Sequence, residues 1–168
     1  MNRERYTLLV EDDDTRAKIM ERELGNTKPE NPVLRARTVR GALEIIQDSG
    51  GAIDTLVFNP TVWLLLRGEK WGPLGRLYFE KLKANNGQVA SWPLFFSMLS
   101  SLYPNIKTQP GLMGKSNVLL TSLSPKANEE TQSVSETLRQ FNVLTRQTLG
   151  NVWDNKLIKA FIDQIKLN

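Results

Sequence analysis

Four consecutive acids, Glu11-Asp12-Asp13-Asp14, follow directly on the apolar run Tyr6 to Val10. Adjacent carboxylates at such a point can hold a hard dication through their oxygens, or they can cap the positive end of a helix. The acids alone do not separate the two. Three other positions end apolar runs with a polar group: Asn59 in IDTLVFNP, Thr121 in VLLTS and Arg146 in FNVLTR. An amide, a hydroxyl and a guanidinium can orient and hydrogen-bond a ligand, but none is a ready nucleophile or base at neutral pH. The 168 residues contain no cysteine and no histidine. Disulfides, Cys/His metal sites, thiol nucleophiles, imidazole bases and the Ser-His-Asp triad are therefore excluded together. With no glycine-rich phosphate loop either, no catalytic constellation is legible, and the chain is expected not to be an enzyme.

The elements that must position these groups follow from periodicity. Tyr6 to Val10 is a short buried strand, and Ala17, Met20 and Leu24 then recur at helical spacing up to a stop at Gly25-Asn26. Val33 to Arg37 is a second strand, and Ala42, Leu43, Ile45 and Ile46 mark a second helix ending near Ser49-Gly50-Gly51. Ile53 to Phe58 is a third strand, stopped by Asn59-Pro60 because proline gives no N–H to a ladder. Leu74, Leu77, Tyr78 and Leu82 form a third helical stripe. Asn117 to Thr121 and Phe141 to Thr145 are the last two strands, separated by a helix over 125–140 and followed by a helical stripe from Leu157 to Ile165. Strands alternating with helices imply an α/β fold, a doubly wound, five-stranded, mostly parallel sheet with working groups at the carboxyl ends of its strands. Asp54 opens its strand and so belongs to the other edge, about 17 Å from Glu11 at the usual strand rise.

Taken together, these strand ends resemble the receiver domain of bacterial two-component response regulators. LLVEDDD is similar to the strand-one signature in which two adjacent acids hold magnesium, and IDTLVFNP stands in the place of the strand ending in the phosphoacceptor aspartate. VLLTS is similar to the strand ending in the hydroxyl that senses the phosphoryl group, and FNVLTR to the strand ending in a lysine followed by proline. The resemblance implies metal-binding roles for Glu11 and Asp12, the phosphoacceptor position for Asn59, the switch hydroxyl for Thr121 and the lysine position for Arg146. Two of these five depart from the pattern. Asn59 cannot be the carboxylate nucleophile of an acyl phosphate, and it brings no negative charge to help hold a dication. Arg146 keeps the charge but not the compact ammonium; it is placed to brace Glu11 or Asp12 instead. Gln147 replaces the proline, and Val143 stands where the family often carries an aromatic. The plainer account of each residue alone remains a capped helix at the acids and a turn at Asn59-Pro60.

The stretch from about 85 to 116 is flanked by glycine and proline, and it reads as an inserted segment in a single domain spanning 1–168. Within it Leu94, Phe95, Met98, Leu99 and Leu102 fit an amphipathic helix begun by Pro93. Charge is uneven: residues 1–60 carry 9 basic and 11 acidic groups, 61–117 carry 7 and 2, and 118–168 carry 6 and 5. The middle segment also holds three of the four tryptophans. It is either a core with a lysine rim, a single-strand nucleic-acid surface, or a protein-docking surface anchored by Trp92, Phe95, Phe96 and Tyr103. Dispersed charges and the lack of a nucleic-acid motif disfavour the second. The expectation is a stand-alone, cytoplasmic, bacterial pseudo-receiver without cofactor, with no membrane contact, that binds a protein partner independently of phosphorylation. The alternatives are a receiver still holding Mg2+ or phosphate non-covalently, and a nucleic-acid binder using residues 61–117.

Overall fold

The computed structural model describes residues 4–87 and 91–103, the strands at 117–120 and 142–145 by their backbone, and Asp163. Its first units are β1 (Tyr6–Val10), α1 (Asp14–Thr27), β2 (Val33–Ala36), α2 (Val39–Asp48) and β3 (Ile53–Phe58). A 3-10 turn at Gly72–Leu74 leads into α3 (Gly75–Ala84) and then α4 (Ser91–Leu102). β1 lies between β2 and β3 and is parallel to both. The backbone at Asn117–Leu120 (β4) pairs with β3, and that at Asn142–Thr145 (β5) pairs with β4, in the order β2-β1-β3-β4-β5.

Helix starts follow capping chemistry. The Asp13 carboxylate accepts from Arg16 N at 2.8 Å and opens α1, and Thr38 Oγ1 accepts from Gly41 N at 3.0 Å and opens α2. α1 continues through Gly25 to Thr27, past the expected stop, since the Lys28 N–H still reaches Leu24 O at 3.0 Å. Beyond the end of α2 come Gly50 and Gly51, with φ of 61° and 78°, where a side chain would be strained. That turn returns the chain to β3.

Side chains alternate across a strand, so the sheet has two different faces. One buries Leu8, Val10, Ala36, Leu56 and Phe58 with Val39, Leu43 and Ile46 of α2 and with α4. On the other, Leu9 and Val57 are buried, and the α1 stripe Ala17, Met20 and Leu24 is buried with them. Helices therefore cover both faces.

Within the segment read as an insertion, the helix expected around Leu94 to Leu102 packs into the core. α4 buries Trp92, Leu94, Phe95, Phe96, Met98 and Leu99, and the Phe95 ring centroid lies 4.7 Å from that of Phe58 in β3. It is a core helix on the sheet face, as an apolar surface extending round a helix requires. α3, whose stripe suggested a core helix, buries no residue fully and leans on the core through Leu77 and Tyr78, with Tyr78 stacked on Trp71 at 4.5 Å. Residues 104–116 of the expected insertion lie outside the described residues. Among the described residues, no helix is long and apolar enough to cross a membrane.

Candidate functional site

Sheet register brings the first acid and the amide together. Val10 pairs with Phe58, Asn59 N donates to Val10 O at 2.9 Å, and Glu11 N donates to Ala36 O at 3.0 Å. Glu11 and Asn59 thus leave adjacent strand ends side by side, and both are buried, with 0% and 1% of their surface exposed. Asn59 Nδ2 donates to both carboxylate oxygens of Glu11, at 3.3 and 3.2 Å. Its Oδ1 accepts from Thr61 N at 3.0 Å and Thr61 Oγ1 at 2.8 Å. A backbone N–H can only donate, so the atom facing Thr61 N must be the oxygen. The amide nitrogen is thereby fixed on Glu11. The turn at Asn59-Pro60 and the Asn59 contact with Glu11 are one structure.

Glu11 Oε1 also accepts from Asp13 N at 2.9 Å and from Arg16 Nη2 at 3.1 Å. The same guanidinium nitrogen lies 3.9 Å from Asp12 Oδ1. Burial pushes the Glu11 carboxyl above its ordinary pKa, and the Asp13 N–H and Arg16 pull it back only in part. The remaining acids are occupied too. Asp13 caps α1, and Asp14 pairs with Arg35 Nη1 at 2.8 Å and with Arg37. The Arg35 guanidinium, helped by Arg37, holds the Asp14 carboxyl below its ordinary value. Arg35 also donates from Nε and Nη2 to the Glu11 carbonyl, at 3.2 and 3.1 Å. Four acids thus meet three arginines at one edge of the sheet.

This arrangement does not fit the magnesium ion that a receiver pattern implies. A hard dication needs several free oxygens, yet Glu11 offers its oxygens to N–H donors and a guanidinium stands beside both Glu11 and Asp12. Among the described residues, no three acids converge on a metal-sized site.

The expected residues are partly brought together. Glu11, Asp12 and Asn59 share the edge, while Thr121 and Arg146 lie outside the described residues. The cation beside Glu11 and Asp12 is Arg16, which sequence reasoning missed although it stands one helical turn beyond Asp12. The docking residues need correction. Trp92, Phe95 and Phe96 are 1%, 0% and 0% exposed, so they pack the core and cannot anchor a partner, and Tyr103 is half-buried. The exposed large hydrophobics among the described residues are Trp63, Leu66 and Phe79. Asp54 sits at the far edge, held by Lys28 at 2.6 Å, Asn31 at 3.2 Å and Arg5 at 3.3 Å. Burial pushes its carboxyl up, but Lys28 and its other partners outweigh that and leave it below the ordinary value.

No family model matches the chain, and no curated protein matches it. The fold is that of a response regulator receiver domain from Clostridium thermocellum, known from its crystal structure. The two superpose with a TM-score of 0.52 at 13% sequence identity, over 97% of this chain and 98% of that one.

Proposed function

We propose that this protein is a signalling module of receiver architecture, a doubly wound five-stranded domain that works without phosphorylation by binding another protein. One observation carries the reading: the residue at the end of β3 is a buried amide whose nitrogen donates to Glu11 and whose oxygen is held by Thr61. An amide so engaged has no carboxylate oxygen to attack a phosphodonor and no lone pair turned toward the acids. The module is not an enzyme and needs no cofactor.

Its docking surface lies in the crossover between β3 and α4. Trp63 is 66% exposed and Phe79 63% exposed, and Leu66 is exposed beside Arg67 and Lys70. The Trp63 backbone is fixed, because Val39 N donates to its carbonyl at 3.0 Å and Arg40 N donates to Leu64 O at 3.2 Å. A large aromatic on a fixed backbone loses little entropy on docking. Residues 61–87 hold five basic and two acidic side chains. Both acids are already used, Glu69 on Arg40 and Glu80 on Arg76. The partner is accordingly an acidic protein surface with an apolar pocket for Trp63.

Immobilised protein is expected to capture the same partner from its source cell with and without a small-molecule phosphodonor and magnesium. Trp63→Ala should weaken that capture by about 2 kcal/mol while changing stability by less than about 0.5 kcal/mol. Capture that requires the phosphodonor would overturn the reading.

A further inference from the structure

We propose that a second copy of this chain is a partner for Trp63, the indole of one copy seating in a cleft at the C-terminal end of α2 in the next. The cleft has a volume of about 300 Å³ and is lined by Tyr6, Leu34, Ile45, Asp48 and Ser49. Tyr6, Leu34 and Ile45 are only partly buried against the core, so their remaining apolar surface forms its walls. Such a space suits one large aromatic side chain. Charge matches as well. Asp48 is exposed at the rim and makes no ion pair among the described residues. The Glu4 carboxylate, which accepts from the Tyr6 hydroxyl at 3.1 Å, adds a second acid there. On the other surface, Arg67 and Lys70 are exposed in the loop that carries Trp63, and neither pairs with an acid among the described residues. A buried indole N–H needs an acceptor, and the Asp48 carboxylate supplies one.

The two surfaces lie at opposite ends of one helix. Val39 N, at the first residue of α2, donates to Trp63 O at 3.0 Å, whereas Asp48 is the last residue of α2. At the usual helical rise the two ends stand about 15 Å apart, so a copy cannot fill its own cleft. The contact therefore joins two different patches of two copies, and it repeats head to tail into a ring or a chain. The inference rests on Trp63 being the docking anchor, and it names a surface with the acid and the apolar pocket which that reading requires. A Trp63 seated in a second copy is withheld from any other partner.

Analytical ultracentrifugation of the full chain, from micromolar to millimolar protein, tests it. The weight-average mass of the wild type should rise with concentration, and Trp63→Ala and Asp48→Lys should each associate more than about tenfold more weakly. Both side chains are exposed, and a cation in the last turn suits the negative end of a helix, so circular dichroism should show both variants folded. Trp63→Ala keeps the cleft and Asp48→Lys keeps the indole. An equal mixture of the two should therefore regain association through pairs of unlike chains. A wild type that stays monomeric throughout, or a mixture that associates no better than its components, would overturn the proposal. Capture from the source cell by Trp63→Ala is read separately, so a failure of self-association and a failure of docking at Trp63 are distinguishable.

Discussion

Replacing Asn59 with aspartate is expected to destabilise the fold by about 3 kcal/mol at neutral pH. In the wild type the amide nitrogen lies 3.2 and 3.3 Å from the two Glu11 oxygens, so the substitution turns two attractive contacts into carboxylate-carboxylate contacts in a buried site. Arg16 supplies only one positive charge to the pair and is already shared with Asp12. Two like charges so close cannot both remain ionised cheaply, and the folded state will hold a proton that the unfolded chain releases. The sign for pH follows. The pair's pKa is raised on folding, so the variant regains stability as pH falls from neutral through that raised value. The gain ends in the ordinary carboxylate range, about pH 4, where the unfolded chain is protonated as well. Urea unfolding of both proteins at several pH values measures the difference. A variant as stable as the wild type at neutral pH would mean that Asn59 does not donate to Glu11.

Phe95→Ala is expected to cost about 3–5 kcal/mol, the usual penalty for emptying a buried phenylalanine site. Phe95 is fully buried, lies 4.7 Å from Phe58 and meets Phe96 edge-on at 5.1 Å. Its loss opens a cavity between α4 and the centre of the sheet. For a domain whose total stability is of order 5–15 kcal/mol, much of the protein would then be unfolded at physiological temperature. Partner binding would fall with the folded fraction rather than independently of it. Chemical denaturation separates the two cases. A loss of partner affinity with unchanged stability would restore Phe95 to the docking surface, which its burial excludes.

The difference between these aromatics marks where sequence reasoning stopped. Trp63 and Trp92 lie in the same basic segment, yet one is exposed and the other buried. Composition cannot sort them, because the choice depends on which helix of the β3–β4 crossover lies flat on the sheet. The stripe Leu74, Leu77, Tyr78 and Leu82 has the spacing of a core helix. It loses that place to α4, which is apolar nearly all round and buries more surface there. Conversely, the strands at residues 6–10 and 53–58 and the stripe Ala17, Met20 and Leu24 were legible, since each follows a single unambiguous period. The meeting of Glu11 with Asn59 was legible through strand order. The hydrogen bonds that hold the pair were not, because the orientation of an amide and the reach of Arg16 from α1 depend on partners that spacing does not specify.

The acidic edge is therefore held by contacts within the protein, centred on Glu11 and Asp14. Arg16, Arg35 and Arg37 answer its acids, and Thr61 fixes the Asn59 amide that the receiver pattern would have as a carboxylate. The most direct test of a module that works without phosphorylation is the intact mass of the protein after incubation with a small-molecule phosphodonor in magnesium. The account predicts an unchanged mass. A stable adduct of one phosphoryl group on a residue of this edge would contradict it.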